Sequence, residues 1–287
     1  MNAHSQIQRT HIHSTTLPLQ TRDATRHIGT ELTHLSAVDP QQKQIKGQFQ
    51  FGVMHIDKAD GMRGIWAGSG VKHLLEVGVP MTFVSTSNED LFDQMSGEPP
   101  FSGGTGARFL RVDYLDENFD TQTTNVPLFG TTPFTPPTLM TRIIFVIAIG
   151  CGSATHNVGD ITITDSVGLT LQTTILATKS IASELYYTIP NGKDAWIRSI
   201  TFHAGREAAL NNKPIVNFKI WVWNRYTKTS ACFVEVILDT SVSTTWLFDW
   251  NYWPNAIDRS DIYCTAETSE NTTFVTCGLH IMERDFI

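Results

Sequence analysis

The chain has 287 residues, of which 41% are hydrophobic and only 17% are charged, and its formal net charge is −7. A hydrophobic content near the globular norm is enough for a sizeable core. The 21 Lys and Arg residues are scattered along the sequence, which disfavours a nucleic-acid-binding surface because such a surface needs clustered cations. No apolar run approaches the ~18 residues of a membrane span, so we expect a soluble chain made in a cytosol.

The first 45 residues are polar, rich in His, Thr, Gln and Arg, and have no sustained hydrophobic period. This pattern predicts an extended N-terminal arm over residues 1–45 that a partner holds in place. His11 and His13 would share one face of any strand. Two imidazoles without a third ligand do not make a metal site, so we interpret them as interface residues.

Residues 46–135 are predicted to form an N-terminal β module. The pattern favours strands at 48–56 and 81–85, and it predicts short helical segments at 71–78 and 88–95, the second because Asn88 is a good N-cap. The stretch FLRVDYLDENFDTQTTNVPL then alternates, turns and returns, which predicts a hairpin. Asp116 and Glu117 lie in its turn, where acidic residues favour the local geometry rather than catalysis.

Residues 136–287 are predicted to form a C-terminal β-sandwich. The apolar run TRIIFVIAIG is typical of a central strand covered on both faces. Short strands bounded by turn residues follow it, and this spacing is typical of an antiparallel sandwich or barrel. The fold class expected is therefore all-β: an antiparallel β-sandwich, jelly-roll-like, as one sandwich or as two β modules, with an extended N-terminal arm. Three strands have one clean apolar face, formed by Val216, Phe218, Ile220 and Val222, by Cys232, Val234, Val236 and Leu238, and by Val275, Cys277, Leu279 and Ile281.

Tryptophans outside these apolar faces are the candidate contact residues. Trp221 and Trp223 fall on the polar side of their strand, while Trp250 and Trp253 belong to the crowded sequence WLFDWNYWPN. Large aromatic side chains outside a core are enriched at interfaces. A second core layer or a packed corner would also explain them.

No pattern in the sequence indicates chemistry. The sequence GGTG follows no strand and opens no helix, so it does not match a phosphate-binding loop. The four cysteines form no CxxC pair, which makes a zinc site improbable, and three of them fall in apolar strand patterns typical of small buried thiols. We therefore expect no catalytic residues, no cofactor and no metal.

Several segments resemble a known family. The segments GARFLRVDYLDENFDTQTTNVPLFGTTP, GDITIT, YYTIPNGKDAWIRSI and RSDIYCTAETSENTTFVTCGLHIME together are similar to β-rich structural proteins of the head or tail in virions of tailed double-stranded DNA bacteriophages. The resemblance spans about residues 104 to 283. The sequence TCGLHI departs from the glycine-rich SGG typical of that family near the last turn.

The resemblance implies an architectural role in a virion. It implies a homo-oligomer, with a trimer favoured, whose partners are major capsid or tail proteins and neither nucleic acid nor membrane. The chain would be an accessory or decoration component that oligomerises through its sandwich and docks through its arm. Two alternatives remain: a receptor- or glycan-binding tail fibre module, which exposed Trp and Tyr would suit, and a depolymerase-type hydrolase on a β scaffold.

Overall fold

A computed structural model describes residues 46–68, 72, 74–92, 103–206, 214–239, 244–247 and 258–285. The predicted arm, residues 1–45, lies outside these described residues. The strands are β1 (Lys46–Ile56), β2 (Arg63–Gly64), β3 (Val79–Ser85), β4 (Phe109–Leu115), β5 (Thr121–Pro127), β6 (Leu139–Met140), β7 (Arg142–Ile149), β8 (Ile161–Asp165), β9 (Leu171–Ile175), β10 (Tyr186–Thr188), β11 (Lys193–Arg206), β12 (Ile215–Asn224), β13 (Thr229–Asp239), β14 (Thr244–Leu247), β15 (Asp261–Thr268) and β16 (Thr273–Asp285).

Eight of these strands form a two-sheet sandwich. One sheet has the order β1-β16-β11-β14, and the other has the order β10-β15-β12-β13 with β2 paired to β15. Numbered one to eight along the chain, without β2, the strands run 1-8-3-6 in the first sheet and 2-7-4-5 in the second. This is the strand order of a jelly roll, in which two Greek keys form facing sheets. The predicted antiparallel all-β sandwich is confirmed.

The period-2 alternation of the sequence explains the jelly-roll core. Val216, Phe218 and Ile220 of β12 are fully buried, and so are the predicted core residues of β16, Val275, Cys277, Leu279 and Ile281. Alternate side chains of a strand point to opposite faces of its sheet, so these two rows meet between the sheets in one hydrophobic cluster.

The predicted core position of Cys232 is wrong. Val234, Val236 and Leu238 are buried as expected, but the Cys232 side chain is exposed. The pairing of β12 with β13 shifts between Ile220 and Trp221, so that Ile220 faces Val234 whereas Trp221 faces Cys232. The extra residue of this β-bulge breaks the alternation, and residues before it change faces.

A second sandwich is inserted between the first two strands of the jelly roll. Strands β3 to β9 form one sheet of order β6-β3-β8-β9 and one of order β5-β4-β7. They enclose a separate cluster that includes Phe83, Leu110, Val146 and Ile163. The jelly roll therefore consists of residues on both sides of the insertion in the sequence.

Strand pairing crosses the boundary predicted between residues 46–135 and 136–287. Strand β1 pairs along its whole length with β16, and β3 and β4, which precede the boundary, pair with β8 and β7, which follow it. Strands on either side of residue 135 therefore belong to the same sheets, and the two hydrophobic clusters do not correspond to residues 46–135 and 136–287.

Strand β7 is not the central strand predicted from its apolar run. It lies at the edge of its three-stranded sheet, and its outer side is paired locally by residues 180–182, where Ala182 N donates to Val146 O at 3.1 Å. The strand nevertheless contacts both cores, because Ile144 packs in the jelly-roll cluster and Val146 in the inserted one, while Phe145, Ile147 and Ile149 are half-buried. A strand between two cores thus has the same apolar pattern as a central strand.

The helical segments predicted at 71–78 and 88–95 are absent from their described residues. The Asn88 side chain does not cap a helix, because its Oδ1 accepts a hydrogen bond from Thr131 Oγ1 at 2.7 Å. The described residues contain one short 3-10 turn, Lys58–Asp60. Ser, Thr, Asn and Asp favour both turns and helix N-caps, so the local sequence could not distinguish a turn from the start of a helix.

A buried ion pair joins the inserted sandwich to the jelly roll. Arg142 begins β7 and Asp261 begins β15, and their side chains are 5% and 1% exposed. Arg142 Nε lies 3.3 Å from Asp261 Oδ1, and Nη2 lies 3.4 Å from Oδ2. Arg142 Nη1 also donates to the carbonyls of Thr141 and Leu75, and the Thr188 hydroxyl donates to Asp261. These extra hydrogen bonds offset the cost of desolvating both charges.

The turn of the β4–β5 hairpin reinforces the same joint. Phe119 at this turn is buried within the jelly-roll cluster, its carbonyl accepts from Asn191 N at 2.8 Å, and the Arg225 guanidinium lies 4.2 Å from its ring centroid. Asp116 shapes the turn, since its Oδ1 accepts from the backbone of Asn118 and Asp120 at 2.8 and 3.0 Å. The hairpin read from the sequence is thus an anchor between two sandwiches.

We expect Arg142→Ala to lower the free energy of unfolding by about 3–5 kcal/mol, because Asp261 would stay buried without its cation. The matched control is Arg111→Ala, which breaks the exposed Arg111–Asp113 pair and should cost about 1 kcal/mol or less. Urea denaturation followed by tryptophan fluorescence measures both values. Equal losses would show that the buried pair does not hold the joint.

Candidate interaction surfaces

Three aromatic rings form a stack on the outer face of the β10-β15-β12-β13 sheet. Tyr186 pairs in register with Tyr263, and Tyr263 with Trp221. The first two ring centroids are 5.2 Å apart with planes at 5°, and the next two are 6.5 Å apart with planes at 15°. Trp221 Nε1 donates to Thr265 Oγ1 at 2.9 Å. The stack and this hydrogen bond fix the half-buried Trp221 ring.

One end of this aromatic stack is covered by a buried lysine. Lys72 Nζ lies 5.2 Å from the Tyr186 ring centroid and 5.7 Å from that of Trp66, and it pairs with Glu184. Burial, with the nearby charge of Arg142, holds the pKa of Lys72 well below its usual value. Burial likewise raises the pKa of Tyr186. Among the described residues, Tyr186 of the stack is buried whereas Tyr263 and Trp221 are half-buried.

Trp223, two residues further along β12, is half-buried on the same outer face. Lys228 Nζ lies 5.1 Å from its ring centroid. Lys228 and Arg225 both pair with Glu76, at 3.5 and 2.9 Å. The structure thus brings the two predicted β12 tryptophans onto one face, next to contacts with the inserted segment. Trp250, Trp253, His11 and His13 lie outside the described residues.

An apolar groove runs beside the edge strand β1. We call it the β1 groove; its volume is about 700 Å³, and its apolar lining includes Phe51, Val53, Trp66, Leu176, Ile181 and Phe274. A smaller cavity of about 270 Å³ shares Phe51 and Ile181 and extends to Phe49. Phe49 is 64% exposed. The β1 sequence KGQFQFGVMHI places Phe49, Phe51 and Val53 on one face, and this face supplies apolar side chains to the groove and to the smaller cavity.

Hydrogen bonds hold the walls of the β1 groove together. The connection after β9 lies against β1, where Glu184 N donates to Phe51 O at 2.8 Å and Val53 N donates to Ser183 Oγ at 2.7 Å. Arg63 and Lys179 contribute positive charge to the lining. Arg63 pairs with Asp60 at 2.6 Å, whereas the exposed Lys179 has no ion pair within the described residues. The groove is thus lined mainly by apolar side chains together with two basic ones, Arg63 and Lys179, on a chain whose net charge is −7.

An apolar turn connects β8 to β9. Val167 and Leu169 are 76% and 74% exposed. The Asp165 carboxylate accepts hydrogen bonds from the backbone N–H of Val167 at 3.1 Å, of Thr170 at 2.8 Å and of Gly168. Leu169 has a φ of 53°, in the left-handed region that few side chains adopt. The turn therefore presents two aliphatic side chains on a hydrogen-bonded backbone.

A buried carboxylate lies next to the start of β1. Glu283 of β16 pairs in register with Lys46, and its Oε2 lies 3.2 Å from Lys193 Nζ. Its Oε1 is buried without a hydrogen-bond partner among the described residues. Burial raises the pKa of Glu283 to about 7, against the opposing charge of Lys46. Burial also lowers the pKa of Lys193.

The described residues contain no group of three or more His, Cys, Asp or Glu side chains that could hold a metal ion. Within the same residues, no helix is long and apolar enough to cross a membrane. The β1 groove and the apolar turn were both missed at the sequence level. Alternation in β1 was visible, but only the fold shows that this face lies beside the connection after β9.

No protein-family model and no curated protein matches the chain. Among solved structures, a chain from the infectious bursal disease virus Gx strain aligns at 10% identity, over 86% of this chain and 73% of its own, with a TM-score of 0.22. A chain from the T13 particle of the same virus aligns at 8% identity, over 86% and 74%, with a TM-score of 0.18. Similarity at this level supports no argument about fold or function.

Glu283 predicts a pH dependence of stability. Its raised pKa means that the folded chain binds more protons than the unfolded chain between about pH 4.5 and 7, so stability falls as pH rises through that window. We expect Glu283→Gln to match the wild type near pH 5 and to exceed it by about 3 kcal/mol or less at pH 8, since one pKa unit is about 1.4 kcal/mol.

Urea denaturation at the two pH values measures this difference. Glu117→Gln, at an exposed side chain without an ion pair among the described residues, is the control and should leave the difference between the two pH values unchanged. A Glu283→Gln variant with the same pH dependence as the wild type would show that Glu283 is ionised in the fold.

Proposed function

We propose that the chain is a structural protein of a virion, and more finely an accessory or decoration component of the head surface or tail of a tailed bacteriophage. The observation that carries the proposal is the jelly roll with a second sandwich inserted between its first two strands. Jelly rolls occur in viral capsid domains, in lectins and in cupins. Because several sequence segments resemble phage virion proteins, we favour a viral structural domain over a lectin or a cupin.

The joint between the sandwiches supports a mechanical role. The Arg142–Asp261 pair and the buried Phe119 tie two closed cores together. Because packed cores deform little, a subunit with two such cores keeps its shape when its outer surfaces bind neighbours. The role we propose is therefore assembly through surfaces, without catalysis and without a cofactor.

The outer surfaces supply the contacts that assembly needs. The β1 groove, the exposed Phe49 and the apolar turn at Val167 and Leu169 present apolar side chains at the surface. Exposed apolar patches mark sites of association. We propose that the chain forms a homo-oligomer, with a trimer favoured, and that residues 1–45 dock on a major capsid or tail protein.

A second candidate function is glycan recognition. The half-buried Trp221 ring, held parallel to Tyr263, provides a fixed aromatic face of the kind on which sugar rings stack, and Trp223 lies on the same strand face. Glycan-array binding by the isolated protein would favour a receptor-binding role. Loss of that binding in Trp221→Ala, with the fold intact, would locate it at the stack.

The assembly proposal predicts a native mass near three times 32.0 kDa in light scattering on a sizing column. It also predicts that the full chain binds to purified virions that lack it, whereas a variant without residues 1–45 keeps its thermal unfolding curve but loses that binding. A truncated protein that joins virions as well as the full chain would exclude docking through the arm. Failure of the full chain to bind any virion would overturn the virion role.

A further inference from the structure

We propose that Lys72 and Glu184 form a covalent cross-link, in which the Lys72 amine and the Glu184 carboxyl group condense to an isopeptide bond. The two side chains are in contact, and they are 3% and 5% exposed. Such a modification belongs to the folded chain itself and does not depend on the virion role. It turns a buried pair of charges into a neutral amide.

The pair lies where the chain enters and leaves the inserted sandwich. Lys72 belongs to the connection from β2 to β3, and Glu184 belongs to the connection from β9 to β10. More than a hundred residues separate the two in the sequence, and these residues include every strand of the inserted sandwich. A bond between the two side chains therefore closes the insertion into a covalent ring at its base.

The backbone on either side of the carboxyl group is fixed. Glu184 N donates to Phe51 O at 2.8 Å, and Leu185 N donates to Ile65 O at 3.1 Å. With its backbone bonded and its side chain buried, the carboxyl group has little freedom to leave the Lys72 amine. Holding two reacting groups in contact removes much of the entropic cost of their reaction.

Burial favours the neutral amine that the reaction needs. Lys72 Nζ lies 5.2 Å from the Tyr186 ring centroid and 5.7 Å from that of Trp66, so two aromatic rings flank it. Burial, followed by the nearby charge of Arg142, holds the pKa of Lys72 well below its usual value, although the charge of Asp261 acts in the opposite direction. A lysine amine that is desolvated in this way becomes a nucleophile, because its lone pair is free.

The two side chains alone balance the reaction. The Nζ lone pair attacks the carboxyl carbon Cδ of Glu184, the Nζ–Cδ bond forms, and one Cδ–O bond breaks. The departing oxygen carries one proton from the carboxylic acid and takes one from the amine, so one water molecule leaves. Hydration of the separate ions opposes this condensation in water, whereas a buried pair has already lost that hydration.

The intact mass of the denatured protein tests the cross-link. We expect the wild type to be lighter than its sequence mass by one water molecule, and Lys72→Arg, which keeps the cation without the reactive amine, to have its full sequence mass. The matched control is Lys193→Arg, at a partly exposed lysine that pairs with Glu283, and it should keep the loss of water. A wild type of full sequence mass would overturn the proposal, whether or not Lys72→Arg folds.

A tryptic map locates the lost water. We expect no cleavage after Lys72 and a branched peptide that joins the segments containing Lys72 and Glu184. Cyclisation at the sequence Asp60–Gly61 would also remove one water molecule. A loss of water that maps to the Asp60 peptide, with normal cleavage after Lys72, would exclude the isopeptide bond.

Cutting the insertion gives an independent readout. A protease site is placed in the turn between β8 and β9, where Val167 and Leu169 are exposed, and the folded protein is cleaved there, reduced and denatured. We expect the two fragments to stay joined when Lys72 is present and to separate in Lys72→Arg. Fragments that separate in both proteins would show that Lys72 and Glu184 form an ordinary ion pair.

Discussion

The buried Arg142–Asp261 pair is the constraint on which the arrangement of the two sandwiches depends. Both side chains are removed from water at the first residues of β7 and β15, and each is satisfied by further hydrogen bonds. A buried pair of charges has one good geometry, because any displacement leaves a desolvated charge without its partner. The pair therefore determines how the inserted sandwich meets the jelly roll, and Phe119 fills the space beside it.

This rigid joint also determines where the interaction surfaces lie. The β1 groove exists because the connection that leaves the inserted sandwich returns along the edge of the jelly roll, where Ser183 and Glu184 bond to β1. The segment between β2 and β3, which leads into the inserted sandwich, places Lys72 near the ring of Tyr186, whereas Tyr263 and Trp221 of the same aromatic stack are half-buried. A scaffold that presents apolar surfaces at fixed positions suits assembly, which needs geometry to be repeated from copy to copy.

Sequence reasoning succeeded where one face of a strand meets one core. The apolar rows of β12 and β16 have that form, and their burial could be predicted from alternation alone. The predictions were wrong where tertiary contacts altered the alternation of apolar and polar residues. The β-bulge opposite Trp221 exposes Cys232, which alternation had placed in the core. Strand β7 has an apolar pattern because it contacts two cores, although it is an edge strand. Among the candidate contact residues, Trp221 and Trp223 could be placed on one face, but their partners Tyr263 and Lys228 could not be named.

By itself, the sequence determined the all-β class, the positions of most strands and the inward residues of several of them, because alternation and turn residues act over a few neighbours. Only the tertiary structure decided that β1 pairs with β16, that a whole sandwich lies between β1 and β10, and that Arg142 meets Asp261. Those contacts join residues more than a hundred positions apart. Which residues pair over such separations depends on how complete sheets pack, so it cannot be predicted from a few neighbouring residues.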